Sequence, residues 1–247
     1  MFDLTGKRAL VTGSSRGIGR AIAVELAKCG AEVIVHGAGN TVKAQETVDI
    51  ITQNDGKAEF IVANLSDPKN VQELADELGD IDILVLNASV QIRNAWESIT
   101  VDEFYTQINT NLLASMLLIQ RVVPHMKKQG WGRIVTVGSV QEAKPHPDML
   151  VYSATKAAQT NMVKSLSLQL AKDGITVNNV APGVIYTDRN VEALSDPEYA
   201  KRVTDSIPVG FYGEPQDCAP TVALLCSDEG RYITGQNIFI DGGKGVQ

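Results

Sequence analysis

Tyr152 and Lys156 stand four residues apart in the stretch VYSATKAAQTNMVKSLSLQLAK, which begins at Val151. On a helix that spacing puts them on one face, a single turn from each other. A free tyrosine hydroxyl titrates near ~10 and moves protons poorly at neutral pH unless a fixed cation stabilises its anion. Lys156 is spaced to be that cation. Ser139, thirteen residues upstream of Tyr152, follows the strand-like run 133–137 and can offer a second hydroxyl to the same oxygen. Together the three could meet negative charge developing on a substrate oxygen with hydroxyls and a nearby positive charge. A Tyr and a Lys at this spacing are also ordinary helix residues, so the chemistry depends on what surrounds them.

At the other end of the chain, Arg8 to Thr12 reads as a short apolar strand and leads into TGSSRGIGRAIAVELAKCG. Gly13, Gly17 and Gly19 fall where the chain must turn sharply and begin a helix. Ile18, Ala21, Ile22, Leu26 and Ala27 then recur at helical spacing. Strand, glycine turn and helix in this order point to a phosphate site, because backbone N–H groups at the helix start can face a pyrophosphate with no Cβ in the way.

The elements between these two ends repeat one rhythm. Strand patterns over 32–35, 59–62, 82–86, 133–137, 175–180 and 237–240 alternate with amphipathic helices. This predicts an α/β chain: a Rossmann-like doubly wound parallel sheet of about seven strands with helices on both faces. Pro68 near a helix start with Asp67 as its cap fits the pattern. Asn87 and Ser89 close the fourth strand pattern, where such folds bind ligands, although an asparagine there also forms turns. Apolar residues over 102–126 cover more than one stripe, which predicts packing on the sheet and against a second subunit, or burial within one domain. Asn109 and Asn111 interrupt that helix pattern. Nothing linker-like divides the chain, so residues 1–247 are expected to form one nucleotide-binding and catalytic domain. Segment 184–211 is expected to be a mobile substrate segment.

Composition narrows the class. The 247 residues are 44% hydrophobic and carry a formal net charge of −7, which argues against nucleic acid as a partner. Cys29, Cys218 and Cys226 are an odd number at wide spacing, and His36, His125 and His146 show no ligand spacing, so neither a disulfide framework nor a metal site is expected. MFDLTGKRALVTG runs directly into a strand pattern without a signal-peptide core, and no apolar run approaches ~20 residues, so a cytoplasmic protein without a membrane span is expected.

With these residues in place, the chain resembles the short-chain dehydrogenase/reductase family over nearly its whole length. The matches are TGSSRGIG at 12–19, NAS at 87–89, Asn111 in INTNLLAS, Ser139, YSATK at 152–156, and Pro182-Gly183. The resemblance implies hydride transfer between a nicotinamide cofactor and a ketone or secondary alcohol. It makes Tyr152 the acid-base group and Ser139 the residue that polarises the substrate carbonyl. Lys156 would lower the tyrosine pKa and hold the nicotinamide ribose, and Asn111 would hold a water leading to solvent. Cofactor contacts are implied at Gly13, Ser15, Arg16, Gly17, Ile18 and Gly19, at Asn64 and Leu65, and at Asn87 and Ala88. Further contacts are implied at Tyr152 and Lys156, and at Pro182, Gly183, Ile185 and Thr187. In two places the chain departs from the family pattern: Ser89 stands where glycine is usual, and Asn64 where many members have Asp.

Cofactor preference turns on charge. Residues 36–40 read His-Gly-Ala-Gly-Asn, with no acid to repel a 2′-phosphate, and Arg16 resembles the basic residue that meets it. NADP(H) is therefore favoured, and NAD use stays open because the second basic residue often found just after the strand is missing.

The resemblance divides between reductases of 3-oxoacyl groups on acyl carrier protein and dehydrogenases of sugars, polyols and sugar acids. Gly130 and Asp173 stand where the former dock their acidic carrier on basic residues, which disfavours docking. Around the expected cleft lie Gln91, Arg93, Asn94, Gln141, Glu142, His146, Tyr186 and Arg189. Of these, Gln91, Gln141, Glu142 and Tyr186 are expected to join Ser139 and Tyr152 in binding a small hydroxylated or carboxylated substrate. The family implies a homotetramer. A nucleotide-sensing protein without catalysis is a further alternative, but it has no need of Ser139, Tyr152 and Lys156 together.

Overall fold

Short β-branched runs become strands here because both of their faces are covered. In the computed structural model, which describes residues 2–246 except for the side chain of Ala193, the first half alternates strand and helix. It comprises β1 (Arg8–Val11), α1 (Gly17–Lys28), β2 (Glu32–Gly37), α2 (Thr41–Thr52), β3 (Lys57–Val62), α3 (Pro68–Glu77) and β4 (Ile83–Leu86). The second half holds α4 (Val101–Ile108), α5 (Ala114–Gln129), β5 (Gly132–Val137), α6 (Leu150–Leu170) and β6 (Ile175–Pro182). After these come α7 (Val191–Leu194), α8 (Pro197–Asp205), α9 (Pro215–Cys226) and β7 (Asn237–Ile240).

The strands form one parallel sheet in the order β3-β2-β1-β4-β5-β6-β7. Alternation within each strand feeds two cores. Ala9, Val11, Ile83 and Val85 pack with Ile22 and Leu26 of α1 and Val222 and Leu225 of α9. Leu10, Leu84 and Leu86 pack on the other face with Leu74 of α3, Leu118 and Val122 of α5, and Val163 of α6. The doubly wound parallel α/β sheet expected from sequence is thus the observed fold. Because β1 has β2 on one side and β4 on the other, the connections diverge there and a crevice opens at the carboxyl ends of the strands.

Two local features differ from the sequence pattern. The helix expected over 102–126 runs from Val101, behind a Thr100–Glu103 capping box, to Gln129, but Asn109–Leu113 form a π-helical turn inside it. Gly130 then ends it at φ 69°. The loosely patterned segment 184–211 carries α7 and α8, and the bridge between Ile185 and Gly213 pins its base. Among the described residues no helix is long and apolar enough to cross a membrane, and all three cysteines are free and buried.

Candidate active site

The chain leaves β1 through Gly13 (φ 64°) and enters α1 at Gly17 (φ 56°), backbone conformations that favour glycine. Arg16, the N-cap of α1, makes no side-chain capping bond. The N–H groups of the first turn therefore keep their capacity for an anion. They line a cavity of about 650 Å³ at the carboxyl ends of the strands. Ser15, Ile18, Asn64, Leu65, Asn87, Ala88, Pro182, Gly183, Ile185 and Thr187 line the same cavity. This donor set fits the pyrophosphate of a nicotinamide dinucleotide.

The glycine turn is braced from two neighbouring strands. Asn87 Nδ2 donates to the carbonyls of Thr12 and Gly13 at 2.9 and 3.0 Å, and the Asn87 and Ala88 N–H groups donate to Thr12 Oγ1, each at 3.0 Å. A Cβ on Gly19 would come within 2.4 Å of Asn87 Nδ2 and of the Gly13 carbonyl, so the brace and the helix can meet only at glycine. From the other side, the Gly13 N–H donates to His36 Nδ1 at 3.0 Å while His36 Nε2 donates to the Ala63 carbonyl at 3.0 Å. These bonds fix the neutral tautomer, and burial pushes the imidazole pKa down to about 4.

Across the cavity, α6 buries a polar face. Tyr152 is 5% exposed, and the Ser139 and Arg189 side chains stand near its hydroxyl. Burial pushes the phenol pKa up; the Arg189 charge is the first effect working against it, followed by the nearby polar groups of Ser139 and Arg189. Lys156, also on α6, lies beneath and is 1% exposed. Its Nζ donates to the Val137 carbonyl at 2.8 Å and to Gln159 Oε1 at 3.0 Å, leaving one of its three N–H groups for another partner. Burial, with Arg189 adding to it, pulls the ammonium pKa down to about 7. Ser139 caps the 3-10 turn after β5, where its Oγ accepts from the Gln141 N–H at 3.2 Å.

Ser139, Tyr152, Gln91 and Gln141 line the cavity, whereas Lys156 supports it from below. Asn111, in the π turn, is fully buried. Its amide accepts from the Val90 N–H at 2.8 Å and donates to the Val90 carbonyl and Thr155 Oγ1 at 2.9 and 3.0 Å. It joins the loop after β4 to α6 and makes no bond to Lys156. Two residues expected at the substrate are not part of the cavity lining. The Glu142 carboxylate is held by Thr160 at 2.8 Å, by Asn179 and by Asn237, all away from the cavity lining. Tyr186 stacks on Tyr212 with ring centroids 5.6 Å apart and does not line the cavity either.

Sequence reasoning missed one cation and undervalued another. Lys43, in the first turn of α2, lies 3.3 Å from Asp188 Oδ2, and Arg16 Nη1 lies 3.2 Å from the same oxygen. Its place just past β2 was the available signal. Arg189 was grouped with the cleft's polar residues, but its bonds to Ser89 and its charge beside Tyr152 depend on a fold-brought approach. Among the described residues no three His, Cys, Asp or Glu gather where they could hold a metal ion.

Comparison with known proteins agrees with this geometry. A family profile described as "Enoyl-(Acyl carrier protein) reductase" matches residues 13–244. A 3-oxoacyl-(acyl-carrier-protein) reductase FabG of Staphylococcus aureus is 41% identical over 241 residues, 96% of this chain and 97% of its own. A crystal structure of 3-oxoacyl (acyl-carrier-protein) reductase from Agrobacterium tumefaciens C58 with NADP bound superposes with a TM-score of 0.94 at 35% identity, over 98% of this chain and 95% of that one. A gluconate 5-dehydrogenase from Burkholderia cenocepacia J2315, in complex with NADP and tartrate, gives 0.92 at 30% identity, over 100% and 98% of the two chains.

Proposed function

The chain belongs to the short-chain dehydrogenase/reductase family, and on that premise we propose that it is an NADP(H)-dependent oxidoreductase that interconverts a small polar ketone and its secondary alcohol, with a sugar, polyol or sugar acid as substrate. One observation carries the reading. Ser139 and Tyr152 stand on the wall of the same cavity that takes in the uncapped start of α1. The nicotinamide, when bound, supplies or accepts the hydride.

The remaining work falls to the protein's own residues. Ser139 and Tyr152 hold the substrate oxygen, and Tyr152 passes the proton. Lys156, anchored by Val137 and Gln159, offers its third N–H to the ribose and its charge to the tyrosine. Asn111 keeps α6 and the loop after β4 in register. Arg16 and Lys43 supply the charge that selects the 2′-phosphate, and the NADP-bound relatives support that preference. Segment 184–211 moves over the substrate about the base pinned at Ile185 and Gly213. The subunit assembles as a homotetramer through α4–α5 and α6, supported by the exposed apolar side chains of Phe104, Tyr105, Met116 and Leu168. Sedimentation at micromolar protein tests the assembly, and a monomer there refutes it.

A second reading, reduction of 3-oxoacyl groups on acyl carrier protein, draws on the 41% identical relative. Against it, Asp173 ties up Lys127 at 2.9 Å on the face expected to meet an acidic carrier. The test is NADPH oxidation measured with a panel of keto sugars and keto sugar acids beside acetoacetyl-carrier protein. Turnover confined to the carrier-bound substrate reverses the order of the two readings. No turnover with any carbonyl compound rejects both.

A further inference from the structure

Arg189 projects from the segment after β6 to residues a hundred positions earlier in the chain. Its Nη2 donates to the Ser89 carbonyl at 3.0 Å and to Ser89 Oγ at 3.3 Å. It also stands near the Tyr152 hydroxyl, on which its charge acts, and both side chains line the same cavity. These contacts occupy at most three of its five N–H groups. Unlike Arg16, which pairs with Asp188, and Arg20, which pairs with Glu46, Arg189 has no carboxylate partner among the described residues. A guanidinium fixed beside a proton-transfer hydroxyl, with donors to spare and no acid of its own, is an anion receptor.

The rest of the cavity agrees. Its lining carries Arg16, Arg93, Arg189 and Lys244 but only one acid, Asp188, on a chain whose net charge is −7. Arg16 and Lys43 already engage that acid at the adenosine end. Glu142, the acid whose charge acts on Tyr152 and Lys156, is bonded to Thr160, Asn179 and Asn237, and no ion pair joins it to Arg189 among the described residues, so the cleft concentrates the field of the arginine. Ser89 explains how the arginine is held. The side chain that replaces the family's usual glycine is the one whose hydroxyl accepts from Arg189.

We propose that Arg189, anchored by Ser89, binds a carboxylate of the substrate, so that the enzyme acts on hydroxy acids and keto acids. Because Arg189 and Tyr152 line one cavity and the arginine charge acts on the hydroxyl that handles the reacting oxygen, a reacting carbon near that carboxylate, at the 2- or 3-position, suits the site best. The inference rests on the oxidoreductase reading above and names its substrate class. Arg189 makes a charged contact that a neutral ester or amide cannot replace.

The experiment measures steady-state reduction by NADPH of pyruvate, acetoacetate and 2-keto-gluconate, each beside its methyl ester, in wild type, Arg189→Met, Arg189→Lys and Ser89→Gly. The readout is the acid-to-ester ratio of kcat/KM, which cancels any general loss of activity or folding. NADPH affinity is titrated separately by fluorescence. Wild type is expected to prefer at least one acid over its ester, and Arg189→Met to reduce that preference about 10- to 100-fold, the effect of losing a charged hydrogen bond. Arg189→Lys is expected to retain part of the preference, and Ser89→Gly to lower it more mildly. The proposal is overturned if wild type prefers no acid over its ester, or if the ratio is unchanged in Arg189→Met. It is also overturned if NADPH affinity falls while the ratio holds, which assigns the arginine to the cofactor. Reduction of the esters without acid preference leaves the oxidoreductase reading standing. No reduction of either member of any pair removes both.

Discussion

The carboxylate of Asp188 reaches Arg16 across 172 positions of sequence, at 3.2 Å, and the same oxygen lies 3.3 Å from Lys43. One acid on the segment after β6 thus joins two cations from the start of α1 and the start of α2. Both cations flank the end of β2, where the fold places the adenosine ribose. Asp188 engages both cations, and on the proposed reading the 2′-phosphate of NADP(H) would compete with it for their charge.

That competition sets the first prediction. Arg16→Ala and Lys43→Ala are each expected to weaken NADPH binding about tenfold while NADH binding changes little; the sites are exposed, so the effect falls near the low end for charged contacts. Asp188→Asn is expected to strengthen NADPH binding. Fluorescence titration of both cofactors at constant ionic strength is the measurement. Equal losses for NADH and NADPH in the two alanine variants refute the assignment.

His36 gives the second. Its folded-state pKa of about 4 lies below the usual 6.5 because the buried ring is held neutral. Between those values the unfolded chain binds a proton that the native protein does not. The contribution of His36 is therefore complete above pH 6.5 and is lost as pH falls towards 4. From pH 7.5 to 5.0 it amounts to about 2 kcal/mol. Urea unfolding at both pH values should show a smaller acid loss in His36→Gln than in wild type. Identical pH dependence in the two proteins would show that the ring does not carry this term.

The third concerns the brace. Asn87→Ala removes both Nδ2 bonds to the glycine turn and leaves the Thr12 and Gly13 carbonyls short of a donor. A stability loss of about 1–3 kcal/mol is expected, accompanied by weaker binding of both cofactors. Thermal unfolding and cofactor titration check it, and unchanged stability would mean that the turn holds its shape unaided.

How much of this was legible in the sequence follows from distance along the chain. The sheet, the glycine turn and the Tyr152–Lys156 face are local patterns, and they appear where period and spacing place them. The Asn87 contacts with the glycine turn, the pairing of Lys43 with Asp188 and the approach of Arg189 to Ser89 join distant elements. No local pattern encodes them. Glu142 shows the pull of distant partners as well. It was expected among the polar residues of the cleft, and Thr160, Asn179 and Asn237 bond its carboxylate. The π turn at Asn109–Leu113 was visible only as two misplaced asparagines in a helical run.

The central claim is that Tyr152 is the proton donor, with Ser139 beside it and Lys156 beneath. Tyr152→Phe deletes one hydroxyl and leaves the ring to fill its buried site, so folding and most cofactor affinity are expected to survive. Lys156→Ala should impair both turnover and cofactor binding, and Ser139→Ala turnover alone. The decisive measurement is single-turnover oxidation of bound NADPH by a small polar ketone that the wild type reduces, followed by cofactor absorbance. The expected result is a fall of at least about 100-fold in Tyr152→Phe, the scale of a lost general acid. A folded Tyr152→Phe protein that oxidises NADPH at the wild-type single-turnover rate contradicts the mechanism.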